Sequence, residues 1–139
     1  MKKFLVLSVL CSLIACSSSS ATKEDKPEEQ QPKNVYRNPV IDYSLPDPSV
    51  IEGDDGYYYL YATEDIRNLP IHRSRNLVDW EYVGTAFTDR TRPDFEPNGG
   101  LWAPDINKIG DRYVLYYSQP GENNKHAIGV ASGPSPVGP

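Results

Sequence analysis

Two stretches of the chain carry the same pattern of apolar and polar positions. Asp55 to Thr63 reads DGYYYLYAT, and Gly110 to Ser118 reads GDRYVLYYS. Each is a run of Tyr, Val and Leu entered through a turn of Asp and Gly, the composition of a β-strand bounded by a tight turn. With Thr63 set on Ser118, Leu60 falls on Leu115, Tyr61 on Tyr116 and Tyr58 on Tyr113. Upstream, PDPSVI (Pro46 to Ile51) faces PDINKI (Pro104 to Ile109). Downstream, IHRSRNLVDW from Ile71 faces IGVASGPSPVGP from Ile128, and WEYVGTAF from Trp80 adds a fourth strand to the first unit. The offsets lie between about 55 and 58 residues, a spread that loop lengths absorb. Four antiparallel strands repeated at a period above about forty residues predict β-propeller blades rather than a sandwich, whose strands recur more evenly. No helix is predicted from Val35 onward.

The pattern before Val35 is of another kind. Met1-Lys2-Lys3 is a basic start, and Phe4 to Ile14 is an apolar run too short to cross a bilayer. It ends in Leu13-Ile14-Ala15-Cys16, which resembles the lipobox of bacterial lipoproteins. Residues 1–15 are therefore expected to be a lipoprotein signal peptide, with Cys16 carrying the lipid. Residues 16–34, four serines and then Lys, Glu, Asp, Gln and Pro, hold no large apolar side chain and read as a disordered tether. The expected domain is 35–139. A protein of this kind is a secreted lipoprotein of the cell envelope, in the outer membrane, at the cell surface or in the periplasm, with the membrane as a partner through Cys16.

Charge and cysteine usage then narrow the chemistry. Loss of Lys2 and Lys3 lowers the 14 basic residues by two against 19 acidic ones, deepening the formal charge from −5 to about −7. That balance excludes nucleic acid as a partner and suits a neutral substrate. With Cys11 removed and Cys16 acylated, the domain has no thiol for a disulfide or for thiolate catalysis. His72 and His126 have no Cys, Asp or Glu at ligand spacing, so no metal site is expected. Gly99-Gly100 leads into Leu101-Trp102 and forms no phosphate loop, and Ser118 and Ser132 lack a nucleophile-elbow context.

The repeat singles out Asp47 and Asp105. Prolines on both sides of Asp47 predict an extended backbone there. At equivalent starts of two innermost strands, both acids would face one axial pocket, and paired carboxylates are what glycosidic hydrolysis uses as base and acid. An Asp beside Pro is equally at home capping a turn. Trp102, just before Ala103-Pro104-Asp105, suits a flat stacking surface for a sugar ring or a place buried between blades.

LPDPSVI, YYYLYAT, IHRSRNLVDWEYVG, LWAPDI and YVLYYS with AIGVASGPSPVGP are, in this order, similar to the landmarks of glycoside hydrolase family 43, from about Asn38 to Pro139. The resemblance implies an all-β, five-bladed propeller of which this chain supplies about the first two blades, and inverting hydrolysis of arabinose- or xylose-containing plant polysaccharides. Asp47 then matches the general base and Asp105 the aspartate that orients the acid and tunes its pKa. Inversion needs about 6.5–9.5 Å between base and acid to hold the water. The family's general acid, a glutamate of a later blade, has no match among Glu52, Glu64, Glu81, Glu96 and Glu122, so the acid is expected to be absent from this chain. The chain then reads as the N-terminal part of an enzyme, inactive alone. YATED followed by NGGLWAPDI is similar to arabinan endo-1,5-α-L-arabinosidases; exo-acting α-L-arabinofuranosidases and β-xylosidases share most of the landmarks. A non-catalytic carbohydrate-binding lipoprotein is the alternative of another class. No cofactor is required; some members hold a calcium ion, for which this sequence gives no independent sign.

Overall fold

The computed structural model describes residues 35–93, 98–121, 123 and 125–138. The expected signal peptide, the tether and Cys16 lie outside the described residues.

Seven strands form two antiparallel sheets. The first holds β1 (Ser49–Glu52), β2 (Tyr58–Tyr61), β3 (Pro70–Ser74) and β4 (Glu81–Thr85), each paired with the next. The second holds β5 (Trp102–Ile109), β6 (Arg112–Pro120) and β7 (His126–Gly133) in the same up-and-down order. Among the described residues there is no α-helix. The β5–β6 connection shows why the local sequence suffices: Ile109 pairs with Arg112, leaving Gly110-Asp111 as a two-residue turn. Gly110 sits at φ +63°, a conformation that costs glycine little and that hairpin turns of this length require.

The core lies between the sheets. Tyr59, Tyr61 and Ile71 of the first sheet, with Leu69 and Phe87 beside it, meet Ile106, Tyr113, Leu115 and Tyr117 of the second. Along β6 burial alternates with period two, Tyr113, Leu115, Tyr117 and Gln119 facing the first sheet. The two leading strands adjoin: the Ile106 N–H of β5 donates to Ser49 Oγ of β1 at 3.1 Å. At their far ends Lys108 forms an ion pair with Asp54.

One expectation is corrected by the register. Ser49 pairs with Tyr61, and Asp105 pairs with Tyr116. Since Tyr61 and Tyr116 are the matched tyrosines of the repeat, Ser49 is the ladder equivalent of Asp105, and Asp47 stands two residues ahead of it. The acids are staggered rather than equivalent: Asp105 stands within the ladder of its sheet, after a bulge that separates it from Trp102, whereas Asp47 precedes the first pair of β1. Among the described residues the second sheet has three strands, the number read from the sequence for the second unit, and no fourth. Residues 134–138 return to the first sheet instead, where the Tyr61 hydroxyl donates to the Pro136 carbonyl and Val137 packs on the core. The face of β2 that carries Tyr61 is thus covered, whereas the matching face of the second sheet leaves Ile128 83% and Val130 62% exposed.

His72 is fully buried in β3 on the other face of the first sheet. Its Nε2 lies 2.6 Å from the Tyr43 hydroxyl, the Tyr82 ring meets it edge-on, and its Nδ1 has no partner. Burial holds the imidazole below its ordinary value of 6.5. As pH falls, the unfolded chain therefore takes up this proton before the folded one does. The contribution of His72 to stability is complete above about 6.5 and is lost progressively below it. The midpoint of urea unfolding is expected to fall between pH 7.5 and pH 5.5, and His72→Phe should flatten that dependence.

Candidate active site

Asp47 lies just ahead of β1 with its backbone at φ +51°, left-handed rather than extended as the flanking prolines predict. A short polar side chain is among the few that tolerate this region. Contacts from the end of β2 hold it there. The Thr63 N–H donates to the Pro46 carbonyl at 2.8 Å, and Thr63 Oγ1 donates to Asp47 Oδ2 at 2.7 Å. Two long-range bonds on either side of Asp47 outweigh the local preference that Pro48 imposes.

The same hydroxyl reaches the second sheet. Thr63 Oγ1 accepts the Ala103 N–H at 2.7 Å, and Ala103, at φ +45°, sits inside the bulge that leads to Asp105. Asp105 is the fourth residue of β5 and is exposed. Its Oδ2 accepts from Asn107 Nδ2 at 3.0 Å. One hydroxyl thus ties the Asp47 carboxylate to the backbone two residues before Asp105. Both acids lie toward the same end of their sheets, though not at the equivalent positions that the repeat predicts.

The next residue fixes where β5 begins. Glu64 accepts two bonds from the Arg92 guanidinium, at 2.7 and 2.8 Å, and one each from the N–H groups of Asn68 (2.7 Å) and Leu101 (2.8 Å). Arg92 also donates to Asn68 Oδ1 at 2.9 Å and to the Gly99 carbonyl at 2.5 Å. The side chains of Arg92 and Glu64 are only 4% and 9% exposed, so water screens the pair little. Burial alone would push the Glu64 carboxyl up; the bonds from Arg92, Asn68 and Leu101 outweigh it and hold the group below its ordinary 4.5. Its contribution to stability is present above about 4.5 and is lost as pH falls further.

Trp102 opens β5, half-buried. A Cβ on Gly100 would collide with its indole, so bare backbone lies along the ring. Sequence reasoning missed Thr63, Glu64, Arg92 and Ser49 as the residues that position this end. Thr63 and Glu64 stand in the quoted YATED segment, but Arg92 lies 28 residues away in no periodic pattern. None of the described glutamates joins the two aspartates. Glu52 closes β1 at its far end, Glu64 is engaged by Arg92, and Glu81 pairs with Arg73 at 2.5 Å. Glu96 and Glu122 lie outside the described residues. Among the described residues no three His, Cys, Asp or Glu side chains converge to hold a metal ion.

The sequence family described as glycosyl hydrolases family 43 matches residues 36–139. A probable arabinan endo-1,5-alpha-L-arabinosidase C of Aspergillus flavus is 36% identical over 105 residues, which are 71% of this chain and 32% of that protein. Xylosidase/arabinosidase 43B of Humicola insolens is 34% identical over 86 residues, 59% of this chain and 16% of that protein. Among solved structures, a thermostable family-43 glycoside hydrolase superposes with a TM-score of 0.64 at 33% identity, over 75% of this chain and 34% of that one. The native arabinanase of Bacillus subtilis superposes with a TM-score of 0.56 at 31% identity, over 68% and 34%. On these matches the chain is of the glycosyl hydrolase class and belongs to its family 43. It spans about a third or less of the length of these curated relatives.

Removing one member of the buried ion pair leaves the other charge without a partner. Glu64→Ala is expected to lower the free energy of urea unfolding by about 3–5 kcal/mol. The double variant Glu64→Met with Arg92→Met should cost clearly less than the sum of the single changes, which a double-mutant cycle measures.

Proposed function

We propose that this chain supplies the base-bearing half of the active site of an inverting glycoside hydrolase built on a five-bladed propeller. The observation that carries the reading is the Thr63 hydroxyl, which holds Asp47 beside the backbone leading to Asp105. In this reading Asp47 is the general base that takes a proton from the attacking water, through the oxygen that Thr63 leaves free. Asp105, steadied by Asn107, orients the general acid and tunes its pKa. The acid itself is a carboxylic acid outside the described residues, since the described glutamates are remote or engaged elsewhere. Trp102 is the stacking surface for the sugar.

The relatives are described as arabinanases and as xylosidase/arabinosidases, which supports an arabinose- or xylose-containing plant polysaccharide as substrate. The YATED and NGGLWAPDI segments favour arabinan and endo-1,5-α-L cleavage over an exo-acting arabinofuranosidase or xylosidase. That no described glutamate joins the two aspartates favours one further reading, a sugar-binding lipoprotein without turnover. In both readings Cys16 anchors the protein in the cell envelope.

The 139-residue chain alone is expected to release no product from debranched arabinan or aryl arabinosides above the blank. Clear turnover would remove the missing acid from the account. When the chain is assayed together with a segment that supplies an acid, Asp47→Asn should lower kcat by about 10²–10⁴-fold and leave sugar binding in place. In that assay, no turnover even with the acid supplied would favour the binding protein instead. Expressed in a bacterium fed an alkyne-labelled fatty acid, the chain should acquire the label, and Cys16→Ala should not.

A further inference from the structure

Trp102 meets a partner that the reading above does not use. Its indole lies 5.3 Å, centroid to centroid, from the imidazole of His126, with the planes tilted by 38°. The register brings them together. Trp102 pairs with Ser118 of β6, and Pro120, two residues further on, pairs with His126 of β7. Period two along β6 places Trp102, Ser118 and His126 on one face of the sheet, the face that Asp105 shares through its partner Tyr116. The Ser118 hydroxyl is 3.4 Å from His126 Nδ1, and the imidazole is exposed.

The two histidines of the domain therefore differ in kind. His72 is enclosed and neutral, wedged between tyrosines as a core residue. His126 is turned to solvent at the end of the sheet where the aspartates stand, and buries almost nothing that packing would need. Its neighbours are an aromatic face and a hydroxyl.

We infer that Trp102 and His126 form one platform for a pentose ring and that His126 contacts the substrate. This rests on the glycosidase reading and extends the sugar subsite outward, from β5 across β6 to β7. The indole offers its flat face to the C–H groups of the ring. In the tautomer in which the Ser118 hydroxyl donates to Nδ1, Nε2 carries the proton and donates to a sugar hydroxyl oxygen. Gly100 holds the indole edge, so the platform is formed before the sugar arrives.

The test uses the full chain in mild detergent with Trp80→Phe, which leaves Trp102 as the only indole. Fluorescence is titrated with 1,5-α-L-arabinotriose and with xylotriose. The inference expects a saturable change in Trp102 emission with at least one of them. His126→Ala should weaken that binding about 3- to 10-fold, and His126→Phe, which keeps a ring but no donor, should fall between. The urea midpoint of both variants should match the parent, because His126 is exposed. Equal affinity in parent and His126→Ala would overturn the platform while leaving the sugar site at Trp102 intact. No saturable response of Trp102 to either trisaccharide would overturn the sugar-site reading, and the platform with it.

Discussion

The entry of β5 at the candidate-site end depends on one buried ion pair. Glu64 leaves the first sheet immediately after Thr63, and Arg92 lies beyond β4; their bidentate contact closes the chain between them into a loop. Taking two charges out of water costs several kcal/mol per ion, which further hydrogen bonds offset; Glu64 gains two and Arg92 gains two, while Arg92 Nε has none among the described residues. Two of these bonds go to backbone groups of the segment entering β5, at Gly99 and Leu101. The electrostatic demand of the pair is thereby converted into a fixed starting point for the strand that carries Trp102 and Asp105. A hydrophobic contact of equal strength would have no directional hold on those peptide groups.

Much of this architecture is legible in the residues. The alternating tyrosines of β2 and β6, the Asp-Gly and Gly-Asp turns and the repeated Pro-Asp pairs state an all-β chain with two similar units and an acid leading each. What escapes is set by long-range geometry. The left-handed backbone of Asp47 results from Thr63, 16 residues on, overruling the local preference of a residue before proline. The bulge at Ala103 sets three residue steps of β5 against two of β6, and a bulge has no signature in a sequence whose apolar pattern runs on past it. Arg92 looks like any surface arginine until Glu64 is seen to face it.

The paired core explains why two sheets stand together as one unit of structure. Tyr59, Tyr61, Tyr113 and Tyr117 are both strand formers and fillers, each bringing a large apolar ring, and the hydroxyls of the first three are hydrogen-bonded. Asp54 takes the Tyr113 hydroxyl as acceptor for its N–H at 3.1 Å, and the Tyr61 hydroxyl binds the Pro136 carbonyl. Tyrosine richness, which by itself says only that strands are favoured, thus doubles as a set of fasteners at the edges of the core.

The engagement of one Asp47 oxygen by Thr63 has a stereochemical consequence. A free carboxylate is a symmetrical acceptor, able to take a proton at either oxygen from two sides. With one acceptor site of Oδ2 taken, Oδ1 of Asp47 is the more open oxygen, and among the described residues nothing bonds to it. As the proposed base, Asp47 is then directional: the water it deprotonates lies on the Oδ1 side, and the hydroxide equivalent leaves along one line. Which face of the sugar receives the new C–O bond is in that case decided by a threonine that touches neither the water nor the sugar.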